Sequence, residues 1–118
     1  MDIETFRDYC LSKKGVSESF PFDETTLVFK VLNKVFALTS ISKKPFAVNL
    51  KCNPEKAINL RELYSQITPG YHMNKKHWNT VIFENSLPTE LLKGMIDNSY
   101  TLVIAKMTKK EKTLLEGL

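Results

Sequence analysis

Cysteine is scarce in this chain: two residues in 118, Cys10 and Cys52, far apart and in no CxxC pair. That leaves a zinc knuckle or a redox dithiol without ligands. Both sit where apolar side chains are expected, and they read as small buried thiols in a reducing compartment. Glycine and proline are also few, four and five, which excludes low-complexity tracts. No run approaches the ~18 apolar residues that a membrane span requires. The opening Met1-Asp2-Ile3-Glu4-Thr5 lacks the basic start and apolar run of a signal peptide. The expectation is a cytoplasmic protein with no membrane partner. No nucleophile stands in a recognisable catalytic context, so no enzyme activity and no cofactor are expected.

The composition itself is that of one globular domain. At 118 residues the chain fits a single domain, 1–118, and can bury roughly two-thirds of its unfolded surface without a metal or disulfide. A monomer is expected. Hydrophobic residues make up 42% and charged residues 25%, far from the disordered class. Seventeen Lys and Arg against thirteen acids give a formal charge of +4, with basic residues spread along the whole chain. That balance permits nucleic-acid binding without demanding it.

Asp2 can cap a first helix over residues 2–14, with Ile3, Phe6 and Cys10 at helical spacing and Lys13-Lys14 in its last turn. Gly15 offers a left-handed stop. Ser19 to Phe22 alternates as a short edge strand, since Pro21 cannot donate to a ladder. Asp23 to Thr26 reads as a turn. Leu27 to Val31 and Val35 to Thr39 read as a hairpin, with Asn33 taking the positive φ, and Phe46 to Cys52 as the next strand. Asn53 and Pro54 start a helix that ends near Gln66, its apolar side made by Ala57, Leu60, Leu63 and Tyr64, with Arg61 and Glu62 pointing elsewhere. A strand follows over 78–83. Pro88 opens a long helical region that Asp97-Asn98-Ser99 can break in two, and Thr108 with Glu111 forms a capping-box pattern for a terminal helix. The order is helix, strands, helix, strand, helix. This predicts an α+β fold: an antiparallel sheet with helices packed on one face.

The segment 69–80, Pro69-Gly70-Tyr71-His72-Met73-Asn74-Lys75-Lys76-His77-Trp78-Asn79-Thr80, stands apart. It holds two lysines, two histidines, two asparagines, a tyrosine and the only tryptophan. Apolar periodicity stops here. Lys75 and Lys76 can contact phosphate oxygens, Asn74 and Asn79 can pair with base edges or backbone, and Tyr71 and Trp78 offer flat stacking surfaces. Trp78 at a strand start equally suits the core, and Lys75-Lys76 equally suits a solvated pair. His72 and His77 have no nearby Cys or carboxylate to complete a metal set, so no metal site is expected.

These blocks, in this order, resemble the YjbR/MmcQ-like family of small bacterial proteins. The resemblance rests on Gly15-Val16 with Glu18 to Phe22, on Leu27 to Val31, on Asn49 to Glu55, on Pro69 to Val81 and on Ile96 to Tyr100. Asp23 stands where a Gly is usual soon after Phe22. The resemblance implies a frataxin-like (CyaY-like) fold and a DNA-binding role through a double-wing arrangement, with no established enzyme activity. Frataxins bind iron through acidic ridges. Asp2, Glu4 and Asp8 are too sparse for such a ridge, so that chemistry is not carried over. The leading expectation is a DNA-binding module using Lys51, Tyr71, His72, Asn74, Lys75, Lys76, Trp78 and Asn79. The rival is an adaptor that takes a protein or a small ligand on the same surface.

Overall fold

In the computed structural model, the described residues are all except 71–72 and 84–86. Asp2 caps the first helix, α1 (Ile3–Leu11), by accepting the Thr5 N–H at 2.8 Å. The helix ends three residues before the expected limit. Lys13 therefore lies beyond it, where its ammonium pairs with Asp97 instead of serving the helix end. Gly15 adopts φ +75, and a Cβ there would meet a Leu115 methyl at 2.5 Å. Only glycine meets both the backbone and the space requirement at that position.

Six strands follow the order β1-β2-β3-β4-β6-β5, antiparallel throughout. They are β1 (Val16–Ser19), β2 (Thr26–Val31), β3 (Lys34–Ser40), β4 (Ala47–Lys51), β5 (Ile67–Pro69) and β6 (Trp78–Ile82). The edge strand β1 begins earlier than the sequence indicates and stops before Phe20, so Phe20, Pro21 and Phe22 lie exposed in the link to β2. In the β2–β3 turn, Leu32 has the positive φ of 54 in place of Asn33. Tertiary packing overrides turn preference here. The Leu32 N–H donates to the Gly15 carbonyl at 2.9 Å, and its side chain packs against the core.

Between β2 and β3 the register shifts after Phe29, leaving Phe36 as an extra residue between partners Ala37 and Val35. A bulge of this kind turns two neighbouring side chains to one side, and Phe36 and Ala37 are both fully buried. The bulge is bridged from the longest helix, α3 (Thr89–Ala105). The Ser99 hydroxyl donates to the Phe36 carbonyl at 2.6 Å and accepts the Lys51 N–H at 2.9 Å. The expected break at Asp97-Asn98-Ser99 therefore does not occur. Ser99 faces the sheet with its hydroxyl satisfied, and Asp97 accepts from Tyr9 Oη at 2.7 Å and pairs with Lys13.

The second helix, α2 (Pro54–Leu63), starts on the Asn53 cap and the Pro54 first turn. Ala57 and Leu60 are buried, whereas Leu63 is exposed and contributes nothing to the core. The fourth helix, α4 (Lys109–Glu116), carries the complete Thr108–Glu111 capping box. One core joins the helices to one face of the sheet, through Leu27, Phe29, Val31, Val48, Leu50 and Val81. Phe6 stands at its centre, edge-on to Phe29, Phe46 and Phe83 at 5.2–5.7 Å between centroids. Edge-to-face rings add modestly to the area they bury. Among the described residues no helix is long and apolar enough to cross a membrane.

Candidate functional site

The unusual segment forms the turn of a hairpin. It joins β5, a strand that periodicity does not reveal, to β6, with Ile67 opposite Val81 and Pro69 opposite Asn79. Pro69 is tolerated because β5 is the sheet edge. The Gly70 N–H donates to the Trp78 carbonyl at 2.8 Å. A Cβ on Gly70 would stand 2.8 Å from the Trp78 Cβ, so a side chain there would force the hairpin apart.

From Asn74 to Trp78 the chain is folded on itself and fastened to its neighbours. Asn74 accepts the Lys76 N–H through Oδ1 at 2.9 Å, and its carbonyl accepts the N–H groups of His77 and Trp78. The Cys52 N–H, at the end of β4, donates to the His77 carbonyl at 2.7 Å. From α2, Arg61 donates to the Lys75 carbonyl and, at 2.7 Å through Nε, to the Asn79 carboxamide. Arg61 thus points toward the hairpin, on the Ala57 side of the helix, and not away from it. The i, i+4 spacing from Ala57 to Arg61 was the signal in the sequence.

The expected binding residues separate into groups. Asn74, Lys75 and Lys76 are exposed at the hairpin turn. His77 and Trp78 are half-buried. Lys51 lies directly across from Trp78 in the β4–β6 register. Partial burial, with Lys106 nearby, holds its ammonium pKa below the usual lysine value. Asn79 is 2% exposed and engaged by Arg61. Alternation along β6 sends it to the helix side, so its carboxamide positions the hairpin from within and is not presented at the surface. Tyr71 and His72 lie outside the described residues. The two thiols are both buried, and burial pushes Cys10 up to about 12 and Cys52 in the same direction.

The arrangement is a braced basic turn at one end of an antiparallel sheet. It supplies two ammonium groups and an amide on backbone held from two sides.

Comparison with known proteins places this fold. The chain is 35% identical to the protein YbdF of Escherichia coli O157:H7 over 109 residues, 92% of this chain and 89% of that protein. It is 33% identical to the protein YjbR of Escherichia coli strain K12 over 118 residues, the full length of both. The crystal structure of a Deinococcus radiodurans protein superimposes with a TM-score of 0.90 at 42% identity, covering 97% of this chain and 87% of that one. A Pseudomonas syringae protein of known structure gives a TM-score of 0.76 at 28% identity, covering 87% and 99%. The family model described as YjbR matches residues 11–102, which span all six strands, α2 and most of α3, and the chain belongs to the YjbR family.

Proposed function

We propose that this chain is a non-catalytic DNA-binding module that works as a monomer, and that the β5–β6 hairpin is its principal binding element. The observation that carries the reading is the bracing of the turn. Arg61 and the Cys52 N–H hold its backbone while Lys75 and Lys76 remain exposed. Ordering a flexible loop on binding costs conformational entropy, and a turn already held in place avoids most of that cost. Lysine is a point charge on a flexible stem, suited to phosphate rather than to bidentate reading of bases. Asn74 adds a polar group beside them, and Lys51 with Trp78 extends the surface along the sheet. The frataxin-like description of the fold, and the double-wing mode of DNA binding, belong to the same proposal.

The rival reading, an adaptor that takes a protein or a small ligand on the same surface, draws on the half-buried Trp78 beside the turn. Salt dependence separates the two, because binding to phosphates releases counterions and apolar packing does not. Fluorescence anisotropy with labelled DNA at two salt concentrations is the test. Lys75→Ala with Lys76→Ala should weaken binding alike across unrelated sequences. It should also flatten the salt slope by about 0.9 for each duplex phosphate that is no longer neutralised. No binding by the unmodified protein at low salt, or an unchanged slope in the double variant, removes the DNA reading of the hairpin.

A further inference from the structure

The face of the sheet turned away from the helices is hollowed into a groove of about 730 Å³. Leu38, Ala47 and Ile82 form apolar walls, and one polar pair crosses the floor, where the Thr80 hydroxyl donates to the Asn49 carboxamide oxygen at 2.5 Å. That bond fixes the Asn49 carboxamide. Its amide nitrogen has no protein partner among the described residues, so its N–H groups are available to an occupant.

The two ends of the groove differ. At one end Lys43 and Lys44 line it, with no carboxylate at ion-pair distance among the described residues. The acid at that end, Asp23, is engaged by the N–H groups and hydroxyls of Thr25 and Thr26. Beside them Phe22 lines the groove with 71% of its surface exposed. At the other end Met73 lines the groove, next to the turn that carries Lys75 and Lys76.

We infer that this groove receives the unpaired bases of single-stranded DNA, with Phe22 as a stacking surface, Asn49 as a hydrogen-bonding group, and Lys43 and Lys44 on the phosphates. The inference rests on the DNA-binding reading above and names the form of DNA. A duplex keeps its bases stacked inside and shows a sheet face only backbone and groove edges. A single strand can turn flat bases into a hollow of this size and stack one on an exposed ring, while Lys43 and Lys44 at one end meet its backbone. The exposed phenyl ring stands by two ammonium groups that form no ion pair among the described residues, the Asp23 carboxylate being engaged by Thr25 and Thr26. It suits an occupant that is flat, apolar on its faces and anionic along its edge.

The experiment uses the full chain, a labelled twelve-nucleotide single strand of mixed sequence, and the same sequence as a blunt duplex. The single strand should bind at least tenfold more tightly than the duplex. Phe22→Ala should weaken single-strand binding about tenfold and leave duplex binding unchanged. Phe22 is exposed, so this variant keeps the fold. In an amide spectrum, the single strand should shift Leu38, Asn49, Thr80 and Ile82. Equal affinity for both forms, with shifts confined to residues 74–77, would overturn the groove inference and leave the DNA reading standing. If neither form binds at low salt, both the groove inference and the DNA reading are overturned. Groove shifts produced by an unrelated apolar peptide, and not by the strand, would assign the groove to a protein partner and overturn it as well.

Discussion

The two faces of the sheet contrast sharply. On the helix side the buried polar groups have partners: Ser99 bridges the bulge, Asn79 meets Arg61, and Thr39 donates to the Ala47 carbonyl at 2.5 Å. On the open side the apolar content is higher than water alone would favour. Leu38, Ala47 and Ile82 line a groove, Val28 is fully buried between its neighbours, and Phe22 stands exposed at the margin. An antiparallel sheet with one solvated face normally alternates apolar inside and polar outside. The helix face follows that rule and makes the fold. The open face departs from it, and departures of this kind occur where a surface has a second task.

The largest expected effect belongs to the helix side. Phe6→Ala removes the ring that three other phenylalanines meet edge-on, and should cost ~3–5 kcal/mol of stability in urea denaturation. Phe22→Ala, on the open face, should shift the midpoint little, since surface changes usually stay within about 0.5 kcal/mol. Similar destabilisation by the two changes would erase the contrast between the faces.

The next effect comes from a single hydroxyl. Ser99→Ala leaves the buried Phe36 carbonyl and the part-buried Lys51 N–H without their partner. Each unsatisfied buried group costs ~1–3 kcal/mol. The destabilisation should therefore exceed that of Thr101→Ala, an exposed change on the same helix. Amide exchange at Lys51 should quicken with it. If Ser99→Ala melts with the unmodified protein, the bulge does not depend on the helix.

A smaller and more local effect is expected from Arg61→Ala. Arg61 binds the Lys75 and Trp78 carbonyls and the Asn79 carboxamide at once. Its removal should cost about 1.5–3 kcal/mol, in the range of hydrogen bonds to charged groups. Hydrogen exchange should rise at residues 74–78 and leave the β2–β3 hairpin unaffected. A drop in protection across the whole sheet would show instead that the turn and the core unfold together.

How far these features were legible in the sequence follows from what kind of interaction makes them. Caps and local patterns are written within a few residues, so Asp2, Asn53 and the Thr108–Glu111 box could be read directly. Leu27 to Val31 and Val35 to Thr39 alternate strongly enough to show their hairpin. β5 is three residues long and exists because β6 pairs with it, so no periodicity could expose it. The positive φ at Leu32, the unbroken α3 at Ser99 and the inward Asn79 each depend on a partner 17 or more residues away. Of the site, the basic turn was visible as composition. The groove was not, because Phe22, Lys43, Asn49 and Thr80 meet only through strand pairing.

The smallest expected effect is the pH response of the latch between α1 and α3. Burial raises the Asp97 carboxyl, but hydrogen bonds from Lys13 and Tyr9 and the charges of Lys13 and Lys93 outweigh it, so its pKa lies below the ordinary carboxylate value. Lys13 in turn sits over the rings of Tyr9 and Tyr100, at 4.8 and 5.2 Å from their centroids. A depressed folded pKa means that the unfolded state takes up the proton first as pH falls. The contribution is therefore present above the unfolded value, near 3.8, and disappears as pH drops through the folded value. Asp97 is about half exposed, and after solvent screening the effect should stay below ~1 kcal/mol. Asp2, Glu18, Asp23 and Glu111 are also held low, so acid destabilisation alone does not isolate Asp97. The difference between the unmodified protein and Asp97→Asn does: it should be largest near neutral pH and shrink below about pH 4. The alkaline side gives an independent check. The Tyr9 hydroxyl is raised to about 12, first by its bond to Asp97 and then by burial, so its contribution should fall between its ordinary value of 10.0 and about 12. Asp97→Asn should weaken that alkaline decline. A constant difference between the two proteins from acid to alkali would mean that Asp97 holds the helices by shape alone, and the charged latch would have to be abandoned.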